Sequence, residues 1–264
     1  MFLILNQVES RLKKLIAESG TICVGLLDSE NAEPGLLGKI ALSAEQCGAK
    51  AILVGGSTAV DQIELENLVK QIKSYVTSPV ILFPGNVTGV APSADAIFFT
   101  SLMNSDNPYF ITEAQALGAL AIRKYRLEAI PMAYVIVGEG GAAGFIGRAR
   151  GIPRGKPALA AMYALAAQYL GMRFFYLEAG SGSDGHVPEL MIAAVRAVFE
   201  GILVVGGGIT TAKTAKNISK AGADIIVLGS LLERPLFKKQ LRDICDTISH
   251  LKVTSHESGS RDSN

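Results

Sequence analysis

Short apolar runs alternate with amphipathic stretches along almost the whole chain. Thr21–Leu27, Ala51–Val54, Pro79–Phe83, Ala96–Phe99, Ala129–Val137 and Phe174–Leu177 read as strands, and runs ending at Gly206 and Leu228 bring the number to eight. The runs are nearly continuous in apolar residues, as strands covered on both faces require. Between them lie segments of helical period. In residues 6–19, Val8, Leu12, Leu15 and Ile16 share one face; the next such segment carries Leu36, Leu37, Ile40 and Ala44. Ile63–Val76, Tyr109–Leu120 and residues 158–170 follow. Eight strand–helix units in one domain's length predict a single α/β, TIM-like (β/α)₈ barrel rather than an open doubly wound sheet. The link Asn86–Asp95 is too short for a full helix, so the barrel is expected to be modified and to lack the helix between strands three and four. Residues 1–252 form the expected barrel with its N-terminal helix. The polar segment 253–264 reads as a disordered tail.

The length of 264 residues suits one such barrel, for which about 250 residues are typical. Hydrophobic residues make up 49% and charged ones only 19%, which points to a large core and to surface covered by self-association or apolar ligand. A net charge of +1 gives no global field for nucleic acid or acidic membranes. Any anion must therefore be held by local geometry. Cys23, Cys47 and Cys245 are few, odd in number and without metal-ligand spacing, which fits a reducing, cytoplasmic setting. No signal peptide is read at Met1–Leu5, which soon meets Asn6, Glu9 and Arg11. The longest apolar stretch, Pro157–Met172, falls short of the ~20 residues of a membrane span and reads as a barrel helix.

Barrel chemistry sits at the carboxyl ends of strands. One end is Tyr176-Leu177-Glu178-Ala179-Gly180-Ser181-Gly182, where a strand runs into a carboxylate and then into small residues. Two more ends follow at Gly206-Gly207-Gly208 and Gly229-Ser230. Glycine lets an anion approach backbone amides that a Cβ would shield, so three such ends suggest one phosphate pocket. The plainer reading is three tight turns. Glu178 in that mouth could accept a hydrogen bond from a substrate hydroxyl or remove its proton, or it could form a salt bridge. The Tyr176 ring could be core with its hydroxyl reaching the site. Asp28 and Ser57 end adjacent strands and offer oxygen donors for Mg²⁺, or they cap helices. No lysine ends an apolar strand as a Schiff-base aldolase requires, and His186 follows no serine nucleophile.

In their order these stretches resemble the geranylgeranylglyceryl phosphate synthase family. The carrying segments are Leu26–Glu30, Ala51–Thr58, Ser101–Tyr109, Ile130–Tyr134, Tyr176–Gly182, Val205–Ile209 and Leu228–Ser230. The resemblance spans nearly the whole chain. It implies transfer of a geranylgeranyl group from geranylgeranyl diphosphate to the primary hydroxyl of sn-glycerol 1-phosphate, the first ether bond of archaeal-type lipids. It implies Mg²⁺ at Asp28 and Ser57, and the glycerol phosphate held by Tyr176 to Gly182, Gly207, Gly208, Gly229 and Ser230. Glu178 would then handle the attacking hydroxyl, and a homo-oligomer is expected. The family's first motif usually continues with a lysine where this chain has Asn31. Arg148 and Arg150 stand where an acidic residue is common; they would help hold a diphosphate or lie in a solvated loop. A longer prenyl donor, another phosphate-binding barrel such as a phosphosugar isomerase, and a non-catalytic binding barrel are the other readings.

Overall fold

The computed structural model describes residues 7–28, 35–56, 61–183 and 185–249. Eight parallel strands close into a barrel: β1 (Ile22–Asp28), β2 (Ile52–Gly56), β3 (Val80–Pro84), β4 (Ala96–Leu102), β5 (Glu128–Ile136), β6 (Phe174–Glu178), β7 (Ile202–Gly206) and β8 (Ile225–Leu228). Strand β8 returns to pair with β1. Around it lie α1 (Gln7–Ser19), α2 (Leu36–Gln46), α3 (Gln62–Tyr75), α4 (Ala114–Tyr125), α5 (Gly141–Ile146), α6 (Pro157–Tyr169), α7 (Glu189–Arg196), α8 (Ala212–Lys220) and α9 (Phe237–Ser249). The expected tail and Ser57 lie outside the described residues.

The strands are apolar on both faces because each face meets a different core. Val24, Leu53, Ile81, Phe98, Met132, Phe174, Tyr176, Val204 and Val227 fill the barrel interior. Leu27, Val54, Leu82, Ile97, Val135, Leu177, Val205 and Leu228 pack outward against the helices. Helix α1 closes the amino-terminal end of the barrel, where Val8, Leu12 and Ile16 join the interior cluster. Its first turn is capped from a distance. The buried Glu128 carboxylate accepts hydrogen bonds from the Val8 and Glu9 amides, each at 2.8 Å. Glu128→Ala leaves these amides unsatisfied and is expected to lower the unfolding free energy by about 1–3 kcal/mol. Denaturant unfolding reads this directly, and unchanged stability would remove the cap's role.

Two elements differ from the pattern in the sequence. Strand β4 runs to Leu102 because it pairs with β5 at seven successive positions, from Ala96↔Glu128 to Leu102↔Tyr134. The polar Thr100 and Ser101 hide this in the sequence; Ser101 Oγ donates to Ile111 O at 2.8 Å. The segment at Tyr109 begins as a π-helical turn, Tyr109–Glu113, and continues as α4 to Tyr125. Between β3 and β4, residues 85–95 are turns and bends without a helix. Both departures bear on the site, since β4, α4 and this link all border it.

Candidate active site

Strand β6 carries Glu178 to the carboxyl end of the barrel, in register with Ile136 of β5 and Gly206 of β7. The side chain is only 6% exposed. Its Oε1 accepts the Gly180 N–H at 2.6 Å. Gly180 reaches that position with φ +101°, in the left-handed region that favours glycine. Gly207, at φ +86°, would place a Cβ 2.5 Å from the same oxygen. Gly206 leaves room for the Tyr176 hydroxyl, which a Cβ there would strike. Glycines at and just beyond the ends of β6 and β7 thus make space for one buried acid and one buried phenol.

Burial pushes the Glu178 carboxyl above its ordinary range, although the Gly180 amide and the Tyr176 and Tyr134 hydroxyls partly offset the rise. The same burial, with the carboxylate nearby, drives both phenols well above their usual values. Tyr176 Oη has no well-formed hydrogen bond, so its link to Glu178 is electrostatic. The Tyr176 ring stacks on Phe83 with centroids 5.5 Å apart, and Tyr134 meets Tyr176 edge-on at 5.1 Å. A buried carboxylate whose pKa is raised is a stronger base than an exposed one and can exchange a proton with a bound hydroxyl.

Glu178 borders a large cavity with two different ends. One end holds Asp28, Tyr134, Glu178, Gly180, Ser181, Gly229 and Ser230. The other is an apolar arm formed by Val87 and Val90 from the β3–β4 link, Phe99 and Leu102 from β4, Phe110, and Ala114, Gly118 and Ile122 along α4. Residues spaced by four on a helix share a face, so α4 turns Ala114, Gly118 and Ile122 together to this arm. A third wall is α5, through Ala142, Ala143 and Ile146.

Six of the residues expected from the sequence therefore meet: Asp28, Glu178, Gly180, Ser181, Gly229 and Ser230. Others take different places. Tyr176 lies beneath the cavity floor, fully buried. Leu177 and Ala179 point outward into the helix-facing core, so only their backbone is near. Gly182, Gly207 and Gly208 lie off the cavity wall; a Cβ on Gly208 would press on Gly185 and His186. Ser57 is outside the described residues. Arg148 and Arg150 do not line the cavity either, and Arg148 Nε pairs with Asp106 at 3.0 Å. Among the described residues no group of three metal-ligating acids, histidines or cysteines occurs. Three carboxylates border the cavity: Asp28, Glu178 and Glu233.

The sequence reading missed Phe83, Tyr134 and Gly118. Tyr134 had a usable signal, a polar-tipped residue inside an apolar strand. Gly118 had another: a mid-helix glycine costs about 1 kcal/mol against alanine and asks for a reason. Here a Cβ would project into open space.

The PcrB family model matches residues 16–248. The chain belongs to the PcrB family. Among PcrB-family relatives, the geranylgeranylglyceryl phosphate synthase of Nitrosopumilus maritimus is 53% identical over 247 residues, covering 94% of this chain and 99% of that protein. The enzyme of that name from Cenarchaeum symbiosum is 56% identical over 229 residues, 87% of this chain and 93% of its own. Among solved structures, (S)-3-O-geranylgeranylglyceryl phosphate synthase from Thermoplasma acidophilum, in complex with its substrate sn-glycerol-1-phosphate, superposes with a TM-score of 0.86 at 38% identity. That match covers 90% of this PcrB-family chain and 98% of the other. A tryptophan synthase α chain from Legionella pneumophila, 14% identical with a TM-score of 0.64, shares the fold alone.

Proposed function

We propose that this protein is a geranylgeranylglyceryl phosphate synthase, joining the geranylgeranyl group of geranylgeranyl diphosphate to the primary hydroxyl of sn-glycerol 1-phosphate. The observation that carries this reading is the two-ended cavity, with a buried acid at its polar end and an apolar arm at the other. A small polar phosphosugar has no use for such an arm. The relatives' names support the same assignment.

In this reading the acceptor's phosphate rests on the backbone at Ser181 and Gly229-Ser230, while the Gly180 amide is held by Glu178 and Gly207 and Gly208 stand behind this wall. Charge-assisted hydrogen bonds of this kind contribute roughly 1.5–3 kcal/mol each. Glu178 accepts the primary hydroxyl and takes its proton as the new carbon–oxygen bond forms. The donor's tail lies in the apolar arm, and its diphosphate faces Asp28. Mg²⁺ takes one or two protein oxygens and completes its shell with water and phosphate, so the Asp28 carboxylate fits such a site, with Ser57 as the second expected ligand. When bound, the ion neutralises charge on the departing diphosphate. Exposed Met162, Tyr169 and Leu170 on and just after α6, with Leu190 on α7, support a homo-oligomer. Among the described residues no helix is long and apolar enough to cross a membrane, and a cytoplasmic site of action agrees with the three free thiols.

The direct test is pyrophosphate release from geranylgeranyl diphosphate. Release that requires sn-glycerol 1-phosphate supports the reading, and release indifferent to it overturns the acceptor assignment. The apolar arm has its own test. Gly118→Phe fills the space beside α4 and is expected to shift preference from geranylgeranyl to farnesyl diphosphate. A tenfold change in the ratio of kcat/KM corresponds to about 1.4 kcal/mol. An unchanged ratio would place the tail elsewhere.

A further inference from the structure

The α5 wall stands on an unusual support. Its segment leaves β5 at Ile136 and returns at Arg150, and both feet are held by one side chain from the β4–α4 link. Asn104 is 2% exposed. Its Nδ2 donates to Ile136 O at 2.9 Å and to Arg150 O at 3.1 Å. Its Oδ1 accepts the Ile136 N–H at 3.1 Å, and its own carbonyl accepts the Arg150 N–H at 2.7 Å. The neighbours extend the clasp. Ser105 Oγ donates to Gly147 O at 2.6 Å, and the Asp106 amide donates to Arg148 O at 3.0 Å. Arg148 sits at φ +50°, a conformation that a non-glycine residue holds only when its surroundings impose it.

The clasped segment touches both ends of the cavity. Gly140 and Gly141 lie against Gly180 and Ser181 so closely that a Cβ on Gly180 would sit 2.6 Å from Gly140 C. At its far end, a Cβ on Gly147 would strike Leu102. Between them Ala142, Ala143 and Ile146 form the wall. Asn104 is not itself part of that wall.

We propose that Asn104 is a positioning residue for the prenyl donor: by clamping Ile136 and Arg150 it fixes where α5 stands between the acceptor end and the apolar arm. This rests on the prenyl-transfer reading above. No other side chain of its size supplies two amide hydrogens and an acceptor at these three points. Asn104→Ala removes all three side-chain bonds, and only Ile136 O keeps a second donor, the Ile152 N–H at 2.9 Å. Asn104→Asp keeps the shape and loses donation to the two carbonyls. A wall displaced by about 1 Å is enough to cost 100-fold in rate when reacting groups depend on it.

The experiment compares steady-state kinetics and calorimetric binding of the full chain, well below each variant's unfolding temperature. Both Asn104 variants are expected to raise KM and Kd for geranylgeranyl diphosphate at least tenfold and to lower kcat. Affinity for sn-glycerol 1-phosphate should change less than a third as much. Glu128→Ala, a lesion at the opposite end of the barrel, serves as the control: it should lose stability and keep its donor KM. Ser105→Ala, which removes the bond to Gly147 O and the local bonds to Asn107 but leaves the Asn104 clamp in place, should show the donor effect at smaller amplitude, and it decides the matter should the Asn104 variants not fold. Donor KM and Kd within threefold of wild type in the folded variants would overturn the proposal. If wild type forms no ether, the functional reading fails instead, and the donor Kd values still decide the role of Asn104.

Discussion

Glu178→Gln is expected to lower kcat/KM at least 100-fold, about 2.7 kcal/mol of transition-state stabilisation. A positioned general base typically contributes 10²–10⁴-fold. The amide keeps the size of the carboxylate and can still contact a hydroxyl, but it cannot take the proton. The wild-type pH profile should carry the same signature. The base works when deprotonated, and burial raises its pKa above the ordinary carboxylate range. Activity should therefore fall as pH drops through that raised value, and the fall should begin at higher pH than for an exposed glutamate. In Glu178→Gln this acid limb should vanish. A loss below tenfold with the limb intact would leave Glu178 as a structural acid that only anchors Gly180.

Asp28→Asn is expected to produce the other large loss, more than roughly 100-fold in turnover at ordinary Mg²⁺, since a Lewis-acid contribution is several kcal/mol. Asp28, at the end of β1, shares the polar end of the cavity with the ends of β6 and β8, but in the proposed reaction it faces the donor's diphosphate and not the acceptor's phosphate. The substitution should thus leave the affinity for sn-glycerol 1-phosphate within about threefold, as measured by calorimetry. Unchanged turnover, or an equal loss of acceptor affinity, would contradict the separation of the two roles. Raising Mg²⁺ should recover part of the activity, because the neutral amide oxygen remains a weak ligand.

The barrel was legible because its physics is local and repeated. Runs such as Ile202–Gly206 and Ile225–Leu228 must be apolar on both faces, and no other common architecture uses eight of them in one domain. Glu178 was legible for the opposite reason, as a carboxylate ending such a run. What escaped were features that need the third dimension. Strand alternation turns Leu177 and Ala179 to one face and Tyr176 and Glu178 to the other, so a contiguous stretch of candidate residues was bound to split between core and cavity. The short helix α5, built of glycine, alanine, phenylalanine and isoleucine after Gly138–Gly140, has no amphipathic period and reads as a loop. Glu128 looks like an exposed residue before a strand, yet it caps a helix 119 and 120 positions earlier in the chain. Asn104 gave no sign at all, because its partners are backbone groups brought to it by β5 and by the return of the α5 segment.

In the proposed reaction the polar end of the cavity selects one glycerol phosphate enantiomer and passes its primary hydroxyl to a prenyl donor. The measurement that tests it most directly is incubation with geranylgeranyl diphosphate, Mg²⁺ and labelled glycerol phosphate of either hand, followed by extraction into organic solvent. Label from sn-glycerol 1-phosphate should enter the lipid phase, and label from the sn-3 enantiomer should stay in water. Equal transfer from both enantiomers, or no labelled lipid from either, would contradict the account.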